Sequence, residues 1–568
     1  MSPTLFTFSS SATDENSGGV ALYATLGSIG FVTFYALYRI VLYPIYLSPL
    51  RHVPGPPLGP NLLIGRFGDM INGEAGIPQR EWVKQHGQAI RAVGPLGIQR
   101  MIFCRPGALH KILVSNWLTN PRPGFMRDIL GTVTGYGLLT VTGNQHKQMR
   151  KAMNPAFSIA SLSSQTDMYH DAIDSLIDIL NDRILDTEKR TGENSSIEHM
   201  YVWMSKVTLD IICTSAFGYN ADSLHNPHNE LAEAYEELIS LQTGRNLSRF
   251  ILFMSIPGFP TFVNSNWASK RRETIAKVPG LKPLAIMMNA MHRIKAVSAS
   301  ILKEKMYEVE GLSKDDTSAK KDIMSLLVRA RKAEMERTES GAKTSASDLD
   351  GSYTMSDKEM MDQVLTFLGA GHETTASGLA WTLWLLANDK ESQRKLREEL
   401  RPLFVLCENG TRKARPSYRE LKDLNWLDCV MNESLRLYPP VPMSFRQAAT
   451  TDVIDGILVP KGTIFYIPIR VVNTLKDIWG DDAEEFNPSR WLKLPDTYNP
   501  TFSVLSFLAG PHACIGKTMA IMEMKAVLAG LIVNFEFEPG YEGQVAQPTA
   551  AVTMKPRDNM PLRVTRTY

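Results

Sequence analysis

The stretch from Phe507 to Gly516, Phe-Leu-Ala-Gly-Pro-His-Ala-Cys-Ile-Gly, constrains this chain more than any other. Cys514 is bracketed there by Gly510 and Gly516, with an aromatic upstream at Phe507 and a helix-like run, Lys517 to Leu531, directly after. Glycine lets a backbone turn and come close to a flat ligand where any Cβ would obstruct it. A helix N-terminus offers free N–H groups and the positive end of a dipole, which is expected to favour thiolate over thiol. A thiolate presented in this way is a good axial ligand for haem iron, whereas a lone cysteine in an ordinary setting is usually buried filler. The other four cysteines, Cys104, Cys213, Cys407 and Cys429, are scattered and form no C-x-x-C pair. An odd, sparse set speaks against a disulfide framework and for a reducing compartment.

At the other end of the chain, Asn16 to Tyr38 carries no charge and is dominated by Ala, Leu, Val, Ile, Phe, Tyr and Gly. About twenty such residues span a bilayer. Acidic residues precede the run (Asp14, Glu15) and basic ones follow it (Arg39, Arg51, His52). Basic flanks favour the cytosol, so the bulk of the chain is expected there. The basic start, short apolar core and small-residue cleavage site of a removable signal peptide are missing. Residues 1–19 are therefore read as a short lumenal N-terminus and 20–47 as a membrane anchor. Residues 48–60, with Pro49, Pro54, Pro56, Pro57 and Pro60, are read as a stiff hinge. Residues 61–568 remain as one catalytic domain. A formal charge of +2 over 568 residues is no footprint for nucleic acid, and none is expected as a partner.

Three further patterns carry chemistry. The first lies within a long helix expected from about Ser356 to Asn388, whose centre reads Leu-Gly-Ala-Gly-His-Glu-Thr-Thr from Leu368 to Thr375. Small residues and paired threonines weaken a helix by about a kilocalorie per glycine, so the pattern asks for a reason. Thr374 is one turn after Ala370, and its hydroxyl can bond back to that carbonyl and bend the helix beside a groove. Glu373, next to it, can relay protons. The second pattern is His146 and Arg150, which share a helix face ahead of Asn154-Pro-Ala-Phe157. The third is Glu433-Ser-Leu-Arg436, a charge pair one turn apart, with Phe486-Asn-Pro-Ser-Arg490-Trp491 downstream. Between them Pro121 to Gly143 reads as a turn-rich apolar loop, Phe250 to Phe262 as an apolar loop at the membrane or a substrate entrance, and Glu336 to Ser356 as a flexible connector.

Taken together these residues resemble the cytochrome P450 haem-thiolate family, whose signature is Phe-x-x-Gly-x-Arg-x-Cys-x-Gly. His512 stands where the family has Arg, and His146 where its Trp-x-x-x-Arg motif has Trp. The acid-Thr motif at Glu373 and Thr374 matches in full. The resemblance implies a mainly α fold with a smaller β region, preceded by one transmembrane helix, with haem b between the long helix and the cysteine loop. It implies Cys514 as the iron ligand and His146, Arg150, Arg446 and His512 as haem contacts. Thr374 and Glu373 would be catalytic, and Glu433, Arg436 and Arg490 a buried structural triad.

The activity implied is insertion of one oxygen atom from O2 into a hydrophobic small molecule. Electrons would come from NADPH through a separate membrane reductase, docked on a basic face that includes Lys147, Lys151 and Lys517. The pattern around His146 is similar to that of microsomal members from filamentous fungi, which points to the endoplasmic reticulum membrane and to a terpenoid or sterol of secondary metabolism. Fatty acids and xenobiotics are the alternative substrates, and a haem-thiolate isomerase or dehydratase the alternative activity. Phe125, Met126, Tyr136, Phe367 and Phe445 are expected to line the substrate pocket.

Overall fold

In the computed structural model, which describes residues 14–567 except 242–252, 255, 257, 279, 311–321, 340–352, 409 and 550–551, the apolar N-terminal run forms a helix, Asp14–Leu37. Its apolar side chains from Leu22 onward face outward, with Phe31 70% exposed. Leu22–Leu47 is the one stretch among the described residues long and apolar enough to cross a membrane, and it is a candidate anchor. Past Leu37 the chain continues as a wider π-helix, Tyr38–Leu47, which contains Pro44. This segment docks on the body, where Arg91 Nη2 donates to Pro44 O at 2.5 Å and Pro44 is buried. The proline-rich segment begins with Ser48, whose hydroxyl caps the Leu50 N–H at 3.0 Å.

Four short strands form the larger sheet, in the order Ala89–Val93, Gln99–Phe103, Ile464–Ile467, Ser444–Gln447. The middle pair runs parallel, with Arg100 opposite Ile464, and the outer pairs are antiparallel. A second sheet joins Phe535–Pro539, Pro561–Arg566 and Ser195–His199. Two short hairpins, Val405–Leu406 with Arg412–Lys413 and Asp452–Ile454 with Ile457–Val459, are the other paired strands among the described residues, and helices dominate the rest. The helix following the cysteine loop, Lys517–Asn534, has no polar stripe, and from Met522 to Asn534 each residue is buried, Glu523 and Lys525 included. It packs with Asp167–Thr191, Asn425–Leu437 and the long helix around Trp381, Leu379 and Val527. Each such large apolar side chain contributes about 1.5–3 kcal/mol on burial, so this cluster sets the frame on which the cysteine loop rests.

The long helix spans Asp357–Asn388 and starts as its sequence asks, with a capping box. The Glu359 N–H donates to Ser356 Oγ at 3.2 Å, and the Ser356 N–H donates to Glu359 Oε2 at 2.9 Å. Three expectations need correction or restriction. The region from Pro121 to Gly143 is not all loop, because Gly124–Thr134 is a helix. Its glycines at 124, 131 and 135 mask the helical spacing of Phe125, Ile129 and Thr132 on the inner face. The expected connector is helical up to Glu339, and 340–352 lie outside the described residues. The apolar segment from Phe250 lies partly outside them too, and Phe259–Val263 within it is a short helix.

Candidate active site

The cysteine loop is held by its own backbone. Gly510 has φ +75° and lies so close to Leu113 that a Cβ would sit 2.3 Å from that carbonyl oxygen, so only glycine serves there. The Cys514 N–H donates to Phe507 O at 2.9 Å, which closes the loop from the aromatic to the thiol. Cys514 lies deep among protein atoms yet is accessible from an internal cavity of about 550 Å³. Burial pushes its thiol up, and the Gly516 N–H, Arg150 and Lys517 oppose this without overcoming it. The expected preference for thiolate is therefore reversed in the chain alone, because desolvation outweighs the local donors and cations.

Across the cavity stands the centre of the long helix, with Gly369, Ala370, Gly371, Glu373 and Thr374 on the wall. Thr374 Oγ1 donates to Ala370 O at 2.8 Å, and Thr375 Oγ1 to Gly371 O at 2.9 Å. Part of the small-residue pattern serves packing, since a Cβ on Gly371 would sit 2.9 Å from the Ile212 side chain. Glu373 is buried, and its Oε1 accepts a hydrogen bond from Thr553 Oγ1 at 2.5 Å. Burial raises the Glu373 carboxyl above its ordinary range, while Thr553 and Lys555 pull the other way. The segment carrying Thr553 is tied to the same helix, with Ser377 Oγ and Trp381 Nε1 both donating to Met554 O, at 2.8 and 2.6 Å.

A rim of basic groups bounds the cavity elsewhere: Arg122, His146, Arg150 and His512, with Arg446 close behind the histidines and not itself on the wall. Arg446 is buried and donates through Nη1 to Phe445 O at 2.6 Å and Ser444 Oγ at 3.2 Å, while its Nη2 has no partner. Burial, then Arg122, pushes Arg446 down to about 9. Arg122 itself is pushed down to about 10 by burial. Arg150 Nη1 donates to Ala513 O at 2.5 Å and so braces the residue before the cysteine. The His146 and His512 rings lie 3.8 Å apart between centroids, with Trp117 edge-on to both. Burial first, then the surrounding arginines, pushes His146 down to about 4; burial and then Arg446 push His512 to about 2. None of Arg122, Arg150 and Arg446 is ion-paired with a carboxylate among the described residues. Three guanidiniums gathered without an acid concentrate positive charge at this end of the cavity.

Beneath the loop, Glu433 is wholly buried. Its two oxygens accept from Arg436 Nε and Nη2 and from Arg490 Nε, each at 2.8 Å, and from Trp491 Nε1 and the Asn487 N–H at 3.0 Å. Arg436 in turn donates to the carbonyls of Asn473, Ala483 and Glu485. Asn473 also binds the approach to the cysteine loop, accepting from the Leu505 N–H at 2.8 Å. Of the residues expected at the substrate pocket, Phe125, Met126, Phe367 and Phe445 line the cavity. Tyr136 does not, since its ring lies against Gly131 at the back of the helix Gly124–Thr134. Sequence reasoning passed over Arg122, Trp117 and Thr553. A basic residue set between Pro121 and Pro123 was a usable signal for the first; the other two had none.

The cytochrome P450 family model matches residues 54–562 of the chain. Cytochrome P450 monooxygenase 205 of Postia placenta is 34% identical over 519 residues, covering 88% of each chain. Cytochrome P450 monooxygenase claO of Ampulloclitocybe clavipes is 30% identical over 556 residues, covering 91% of this chain and 93% of its own. Cytochrome P450 monooxygenase FUM15 of Gibberella moniliformis is 28% identical over 571 residues, covering 91% and 88%.

Proposed function

Because the chain belongs to the cytochrome P450 family, whose members carry haem iron, we propose that it is a membrane-anchored monooxygenase of a hydrophobic small molecule, of the terpenoid or sterol class. The observation that carries this reading is a thiol, an acid-Thr pair and an acid-free basic rim around one largely apolar cavity. The residues fit haem b on three counts. Cys514 is open to the cavity while buried from outside. Arg446 Nη2 and His146 Nδ1 are buried polar atoms without partners. Arg122, Arg150, His146 and His512 on the rim, with Arg446 close behind, suit a pair of propionates.

Haem, when bound, supplies reductive activation of O2 and transfer of one oxygen atom to the substrate. Cys514 would hold its iron as thiolate, and metal binding supplies the drive for the deprotonation that burial alone opposes. The protein's own part is proton supply, placement and exclusion of water. Glu373, whose carboxyl burial raises above its ordinary range, stands at the edge of the cavity where it can pass a proton inward. Thr374 presents a hydroxyl there whose own donor bond goes to Ala370 O, so its oxygen is free to accept. Phe125, Met126, Phe367 and Phe445 hold an apolar substrate against this wall. Glu433, Arg436 and Arg490 act at a distance, as the rigid base under the cysteine loop.

Electrons come from NADPH through a separate membrane reductase that docks on the face bearing Lys147, Lys151 and Lys517. The anchor is inserted in the endoplasmic reticulum membrane with the domain in the cytosol; the basic residues that follow the apolar run support that orientation. The test is NADPH-dependent product formation by microsomes containing the chain and a fungal reductase, fed terpenes, sterols, fatty acids and aromatics under labelled O2. Label in a terpenoid or sterol product supports the reading. Absence of label in every class, with the carbon monoxide spectrum of thiolate-bound haem intact, overturns the oxygenase chemistry and leaves the haem assignment.

A further inference from the structure

The cavity that reaches Cys514 also has Arg100, Phe67 and Tyr466 on its wall. Arg100 lies on the strand Gln99–Phe103, flanked by Ala92 and Ile464 in the sheet, and is 6% exposed. A buried guanidinium normally has a carboxylate partner, because an unpaired charge removed from water is costly. Arg100 has no carboxylate within ion-pair distance among the described residues. Its Nη1 donates to the Tyr466 hydroxyl and its Nε is buried without a partner. The guanidinium lies against two rings, Phe67 and Tyr466, each with its centroid 5.1 Å away. These aromatic faces orient a cation and lower its desolvation cost without neutralising it.

The surroundings are shaped to keep that group in place. Gly94, on the neighbouring turn, leaves the space it occupies, since a Cβ there would sit 2.5 Å from Arg100 Cζ and Nε. Tyr466 in turn stands edge-on to Phe445, centroids 4.8 Å apart, and both rings line the cavity. The rim would hold the propionates of a bound haem, whereas the proposed haem site offers no counter-charge to Arg100.

We propose that Arg100, oriented by Tyr466, binds the carboxylate of the substrate, which is therefore a hydrophobic acid; this narrows the class proposed above to its acids and sets aside neutral sterols. This deepens the monooxygenase reading and rests on it only for the claim that the bound acid is the substrate. With its carboxylate held at Arg100, an acid's apolar skeleton extends through the cavity toward Cys514, which favours oxidation at a carbon remote from the acid group. A purely structural Arg100, clamping Phe67 to the sheet, would leave acids and their esters equivalent.

The experiment compares each acid with its methyl ester by calorimetric titration of the full-length holoenzyme in nanodiscs, corrected against empty discs. The probes are hexadecanoic acid, abietic acid and a triterpene acid. The proteins are wild type, Arg100→Met and Arg100→Lys. A charge-assisted bond of this kind predicts that at least one acid binds wild type about tenfold or more tightly than its ester. Arg100→Met should erase that ratio while changing ester affinity less than about twofold, and Arg100→Lys should retain part of it. Equal binding of acid and ester for every pair overturns the proposal, as does a preference that survives in Arg100→Met. The two readings fail separately: a missing thiolate-haem carbon monoxide spectrum removes the monooxygenase, whereas a lost acid preference with that spectrum intact removes only the Arg100 site.

Discussion

Replacing Glu433 by Gln tests whether the base of the cysteine loop is held by charge. Glu433 and Arg436 are both 0% exposed, and five donors converge on the carboxylate. Glutamine keeps the shape but offers one acceptor oxygen, and it turns an NH2 group toward guanidinium N–H groups that also donate. Arg436 is then a buried cation whose remaining partners are carbonyl oxygens. Breaking a buried pair from one side costs about 3–5 kcal/mol. A folded domain commonly has about 5–15 kcal/mol in hand, so much of the margin is removed. The comparison is Asp482→Ala, which removes the outer partner of Arg490. Asp482 is 41% exposed although Arg490 is 8%, so water screens this pair from one side and it is worth about 1 kcal/mol, well below the buried one. In urea unfolding of detergent-solubilised protein followed by far-ultraviolet circular dichroism, Glu433→Gln should lower the midpoint by roughly 1–2 M, and Asp482→Ala by far less. A Glu433→Gln midpoint no lower than that of Asp482→Ala would refute the reasoning.

Glu523 gives a pH prediction. Its carboxyl is buried with Oε1 unpartnered, and burial raises it well above 4.5. The folded chain holds this proton more tightly than the unfolded chain, so the contribution is fully present below the ordinary carboxyl range and is lost as pH rises through the raised value. Glu523→Gln should flatten the fall in stability above that range; an unchanged slope would show that Glu523 does not titrate. Arg122→Gln should weaken haem retention by about tenfold or more, measured as the rate of haem transfer to an acceptor protein; faster loss supports the anion site and slower loss contradicts it. Glu373→Gln should lower product formation by roughly 10²-fold with the reducing equivalents diverted to hydrogen peroxide, and unaltered coupling would remove Glu373 from proton delivery.

Several features of this protein are written locally in its sequence. The cysteine loop is one, because glycine at a left-handed position and a thiol before a helix are properties of ten consecutive residues. The long helix and its capping box, the Glu433–Arg436 pair and the apolar N-terminal helix are others, since each rests on spacing along one element. Other features arise only when distant segments meet. Thr553 reaches Glu373 across 180 residues of sequence. Arg122 joins His146, Arg446 and His512 from a helix-flanking turn, and the helix Gly124–Thr134 becomes visible only when its inner face packs. The direction of the Cys514 shift was decided in the same way: the helix N-terminus favours the thiolate from within the sequence, but desolvation by the assembled fold is the larger effect. Local signals fix which backbone geometry is affordable at each residue, while burial, and with it the charge state and partners of every buried polar group, is a property of the packed tertiary structure.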